Sequence, residues 1–102
     1  MIPAVADRTP EIEVLCRRYH VAQLGLFGSA ATGAYSDGAS DLDFLVEFGP
    51  PAFDDYANIY FGLLEALELL FGVPVDLVVR SAITNPYFLQ SVEQTRTPLY
   101  EA

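Results

Sequence analysis

Residues 40–48, Ser40-Asp41-Leu42-Asp43-Phe44-Leu45-Val46-Glu47-Phe48, decide the fold. Leu42, Phe44, Val46 and Phe48 recur at every second position, and side chains two apart on an extended chain share a face. The stretch therefore reads as a strand whose apolar row meets a core. Asp41 and Asp43 then project together from the other face. Like charges at that spacing repel and raise one another's pKa, and a cation relieves them. Magnesium, a hard ion that takes oxygen ligands and keeps positions for phosphate oxygens, suits such a pair. Standing alone, an Asp-x-Asp pair is more simply a solvated strand edge whose charges discourage aggregation.

Two features outside the strand favour the metal reading. Upstream, Gly28-Ser29 follows a strand predicted over Val21–Phe27 and precedes a short helix-compatible run closed by Gly33. Glycine lets backbone approach a ligand, serine caps a helix and offers a hydroxyl, and a helix N-terminus presents N–H groups to an anion. An ordinary strand-to-helix turn needs no ligand and is the simpler account of Gly28-Ser29 alone. Downstream, Asp76 sits inside Val73-Pro74-Val75-Asp76-Leu77-Val78-Val79. A carboxylate buried in so apolar a run is costly unless paired or metal-bound, which suggests a third ligand or a base. Alternatively Asp76 points out of a half-exposed strand while Val75, Leu77 and Val79 pack inward. Three carboxylates on two strands beside a Gly-Ser turn together suit metal-assisted phosphoryl transfer.

The remaining elements alternate. Thr9-Pro10-Glu11 reads as an N-cap, a proline in the first turn and an acid near the helix N-terminus. It opens a helix to about residue 19 with Ile12, Leu15, Cys16 and Tyr19 on one face. Gly49-Pro50-Pro51 must end the second strand. A long helix over residues 53–71 is closed by Gly72, a third strand covers residues 74–79, and Asn85-Pro86 starts a last helix to Thr95, leaving 97–101 as a tail. Tyr56, Ile59, Tyr60, Leu63, Leu64, Leu67, Leu70 and Phe71 form the long helix's core face. Phe53, Phe61 and Leu69 are left over, as surface hydrophobes or as a docking surface. The pattern predicts an α+β (α/β-like) domain, a small mixed sheet with helices packed on it.

Gly28-Ser29, eleven residues, Asp41-Leu42-Asp43 and a later-strand Asp76 resemble the signature of the DNA polymerase beta-like nucleotidyltransferase superfamily. More narrowly, the chain is similar to the minimal nucleotidyltransferases, the MntA-like antitoxins encoded beside HEPN-domain toxins. The likeness covers residues 24–100 and includes Asp-Leu-Asp-Phe-Leu-Val-Glu-Phe, Val-Asp-Leu-Val and Pro-Leu-Tyr-Glu. The resemblance implies a nucleotidyltransferase fold in which Gly28 and Ser29 hold the triphosphate and Asp41 and Asp43 bind two magnesium ions. Asp76 would complete the metal site and help deprotonate the acceptor. The implied reaction is attack by a hydroxyl on the α-phosphorus of ATP, releasing pyrophosphate and leaving AMP on a tyrosine of the HEPN toxin, an RNase. Relative to the family, the loop from Ser29 to Asp41 is about one residue longer, and Ala30-Ala31-Thr32 lacks an arginine that would help neutralise phosphate charge.

Composition bounds these readings. At 102 residues and 52% hydrophobic, the chain is expected to form a single domain, residues 1–102, with one core. An acceptor would then arrive on another macromolecule, in a hetero-oligomer with the toxin, or a second copy would complete the pocket in a homo-oligomer. A net charge of −9, fourteen acidic residues against five basic, argues against direct binding of nucleic acid and for a basic partner. The single cysteine, Cys16, cannot form an internal disulfide, and Met-Ile-Pro-Ala-Val-Ala-Asp-Arg lacks a charged segment followed by a long apolar run. No apolar stretch reaches the ~20 residues of a membrane helix, so a cytoplasmic protein with no membrane association is expected. His20 and the Arg17-Arg18 pair read as features of a helix end. Two alternatives stand beside the adenylyltransferase: an antitoxin that acts by binding and occlusion without catalysis, and a transferase for a small hydroxyl acceptor such as an aminoglycoside. Intact Asp41, Asp43 and Asp76 favour the two enzymatic readings.

Overall fold

A computed structural model describes residues 3–32 and 41–102; the Gly33 that closes the run after Ser29 and the loop read over residues 35–40 lie outside the described residues. Among the described residues the strands are β1 (Val21–Phe27), β2 (Leu42–Phe48), β3 (Val75–Val79) and β4 (Thr97–Glu101). They form one sheet in the order β3-β2-β1-β4. β1 pairs antiparallel with β2 and with β4, and β2 pairs parallel with β3. The helices are α1 (Pro3–Ala6), α2 (Thr9–Arg18), α3 (Ser29–Thr32), α4 (Tyr56–Phe71) and α5 (Pro86–Thr95), with 3-10 turns at Pro50–Asp55 and Arg80–Ala82. The expected mixed sheet with packed helices is the fold observed.

The predicted apolar row holds. Leu42, Phe44, Val46 and Phe48 are all buried, as are Leu24 and Leu26 of β1 and Leu77 of β3, and they join Ile12 and Cys16 of α2 and Leu63 and Leu67 of α4 in the main core. The core face read on α4 holds for Ile59, Tyr60, Leu63, Leu64, Leu67, Leu70 and Phe71, of which Leu63 and Leu67 are fully buried, whereas Tyr56 is exposed. A smaller cluster on the opposite face joins Phe27, Leu45 and Val92 of α5. The sheet thus carries α2 and α4 on one face and α5 across part of the other.

Three local expectations change. Residues 97–101 are not a tail: they add β4 beside β1. The long helix begins at Tyr56, because Pro50 and Pro51 lead into a 3-10 turn through Asp55. Thr9 does not cap α2; its hydroxyl donates to the carbonyl of Ala6 (2.9 Å), and Arg8 occupies the cap position. Asn85 does cap α5, accepting from the N–H groups of Tyr87 (2.9 Å) and Phe88 (3.3 Å).

Candidate active site

β2 and β3 run parallel with Asp43 in register with Asp76. Side chains in register on neighbouring strands share a face, so both carboxylates project from the face opposite Phe44 and Leu77. Asp76 is exposed, which corrects the premise that it is a buried charge. Val75, Leu77 and Val79 pack toward the core, as the half-exposed strand reading requires, and that same alternation sets Asp76 beside Asp43. Position on the sheet, rather than burial, makes it a candidate ligand.

Asp41 precedes β2 and is exposed, whereas Asp43 is half-buried. Burial first, then the charges of Asp76 and Asp41, push the Asp43 carboxyl above its ordinary value of 3.8. At Asp43 the charge of Asp76 outweighs that of Asp41.

On the other side of Asp43 lies the Gly28 turn. Phe27 is in register with Asp43 across β1 and β2, and Gly28 follows with φ +72. A Cβ at Gly28 would lie 2.5 Å from Oδ2 of Asp43, so only glycine admits both the left-handed backbone and the carboxylate. Ser29 opens the one-turn α3 and is half-buried. Thr95 is a neighbour that sequence reasoning missed. Its hydroxyl accepts from the Gly28 N–H (3.1 Å) and faces the carbonyls of Ser91 and Val92 (3.4 Å each), tying the turn to the end of α5. The Gly28 donor is thus engaged within the protein, and only the tertiary fold brings residues 28 and 95 together.

The donor set fits a divalent cation carried with phosphate oxygens. Carboxylate oxygens are the hard ligands magnesium prefers, and the ion retains positions for water and phosphate. Among the described residues no three acidic, cysteine or histidine side chains close around one point. Asp41, Asp43 and Asp76 therefore form an open acidic edge rather than a finished cage. The space that Gly28 leaves beside Asp43 adjoins this edge.

Comparison with known proteins identifies the family and the fold. Residues 12–99 match the model of the nucleotidyltransferase domain family. A Methanocaldococcus jannaschii protein named for protein adenylyltransferase activity is 37% identical over 82 residues, 80% of either chain. A solved structure described as a minimal nucleotidyltransferase superposes with a TM-score of 0.76 at 32% identity, covering 92% of this chain and 91% of the other. A more distant fold neighbour is the complex of a Shewanella oneidensis MNT antitoxin with its tri-AMPylated HEPN toxin. Its TM-score is 0.66 at 21% identity, covering 96% of this chain and 73% of that one. With that family model spanning most of the sequence and a relative 37% identical over 80% of either chain, the chain belongs to the nucleotidyltransferase domain family of enzymes.

Proposed function

We propose that this chain is a magnesium-dependent protein adenylyltransferase that acts as an antitoxin, transferring AMP from ATP to a tyrosine hydroxyl of a HEPN-family toxin. The observation that carries the proposal is the in-register pair Asp43–Asp76 beside the Gly28 turn. Asp41, Asp43 and Asp76 would hold the cations, which supply positive charge against the triphosphate when bound. Gly28 and Ser29 would receive the phosphates at the turn.

Asp76, exposed on β3, would take the acceptor proton as the tyrosine oxygen bonds to the α-phosphorus. The bond from that phosphorus to its bridging oxygen breaks, and pyrophosphate leaves. The relative named for protein adenylyltransferase activity supports the nucleotide and the protein acceptor. The complex of the fold neighbour with an AMPylated HEPN toxin supports the partner class. The net charge of −9 favours a basic protein over a nucleic acid as acceptor carrier.

The test is the intact mass of the HEPN-family protein encoded beside this chain after incubation with ATP, magnesium and this protein. The mass should rise by one AMP moiety or multiples of it, and Asp41→Asn with Asp43→Asn should abolish the rise. Toxin neutralisation that survives in the double variant, with no mass change caused by the wild type, would instead establish occlusion.

A further inference from the structure

An open, largely apolar groove of about 580 Å³ runs along the outer edge of β3. Tyr56 and Tyr60 of α4 form one wall, Ala82 and Ile83 the floor beyond Val79, and Phe88 of α5 the other wall. Both walls are joined to the acidic edge. The Phe88 ring packs edge-on against Phe27, 6.4 Å between centroids, and Phe27 is the residue before Gly28. The Tyr60 hydroxyl donates to the carbonyl of Leu77 (2.5 Å), the residue after Asp76.

The groove is apolar inside and acidic around it. Asp76 immediately precedes Leu77 of the groove lining, and burial and then the Asp76 charge raise the Tyr60 phenol. Asp54 and Asp55, both exposed, immediately precede Tyr56. Extension of the sheet is blocked at the Asp76 end. There α4 covers the strand edge through Tyr60 and through Glu68, whose carboxylate accepts from the Val75 N–H (3.1 Å). An occupant must therefore enter by its side chains.

We propose that this groove is the acceptor channel: it receives a tyrosine-bearing, basic segment of the partner protein and delivers the phenol to Asp76. Aromatic walls suit a ring that must lie flat or edge-on, the acidic surroundings suit flanking lysine or arginine, and the end near Asp76 is where the phenolic proton is to be lost. The proposal rests on the reading that the acceptor is a protein tyrosine.

Ala82 and Thr84 are exposed, so Ala82→Trp fills the groove and Thr84→Arg reverses the charge preference at its mouth without disturbing the core. In steady-state AMP transfer to the HEPN-family partner, each should raise the KM for the partner about tenfold or more. Calorimetric affinity for magnesium and a non-hydrolysable ATP analogue should hold. Leu69→Ser, at an equally exposed apolar position away from the groove, should leave transfer unchanged. An unchanged KM in both groove variants overturns the channel while the adenylyltransferase reading stands. Absence of transfer by the wild type overturns that reading itself. Loss of a homodimer in Ala82→Trp, seen by sedimentation, would assign the groove to a second copy and also overturn the proposal.

Discussion

Gly28 and Asp43 form the tightest constraint at the site. A methyl group on Gly28 meets Oδ2 of Asp43, and the backbone there has φ +72. Gly28→Ala is expected to cost about 1–3 kcal/mol of stability, read from urea unfolding, and to remove transfer activity by displacing the carboxylate. Asp43 carries the opposite balance. Because burial, then Asp76 and Asp41, hold its folded pKa above 3.8, ionising it opposes folding. That penalty is absent below the ordinary value, grows as pH rises through it, and is complete above the raised folded value. Asp43→Asn should therefore flatten this part of the pH profile. It should also stabilise the metal-free protein at neutral pH by about 0.2–1 kcal/mol, kept small by solvent screening, while removing activity. A neutral-pH Tm lower than that of the wild type would contradict this. Cys16 is inert by comparison: burial dominates and pushes its thiol up to about 12, so alkylation should occur only on unfolding.

Three of the strands were legible in the sequence, β1, β2 and β3, whereas β4 was not. β2 shows its apolar row directly, and β1 precedes a Gly-Ser turn. β4 reads Thr97-Pro98-Leu99-Tyr100-Glu101, short and broken by a proline that cannot donate to a ladder. It forms because it is an edge strand, and its register with β1 slips between Leu24 and Gly25, the residue that pairs with Pro98. The apolar neighbours of Asp76 suggest burial, whereas the side chain is exposed and the parallel register sets it beside Asp43. Thr95 was invisible because its role depends on a contact 67 residues away. Gly62 was equally silent: a Cβ there would lie 2.7 Å from the Tyr19 ring, so the glycine lets α2 and α4 approach despite its low helix propensity. Leu67, fully buried on α4, anchors this layer. Leu67→Ala should cost about 2–5 kcal/mol, measured by chemical denaturation, through loss of packing and not of chemistry.

At the scale of the whole molecule, one sheet divides the labour. The face formed by Leu24, Leu26, Phe44, Val46 and Leu77 is sealed by α2 and α4, while the other is only partly covered by α5. Asp43 and Asp76 can remain solvent-accessible on that second face without weakening the core. Glu93 helps hold α5 there, its carboxylate kept below the usual range chiefly by the hydrogen bond from Arg80 (2.7 Å). The net charge of −9 acts over longer range. Association with a basic partner should slow as ionic strength rises, because salt shortens the reach of the attraction from ~30 Å at 0.01 M to ~8 Å at 0.15 M; stopped-flow binding at varied salt reads this directly. The central claim, that Asp43 and Asp76 form a cation-assisted nucleotide site, is tested most directly by thermal unfolding with magnesium and a non-hydrolysable ATP analogue. At a hundredfold excess over Kd the wild type should gain about 2.7 kcal/mol, seen as a Tm increase that requires both ligands and is lost in Asp43→Asn and Asp76→Asn. An equal increase in the wild type and both variants would contradict the account.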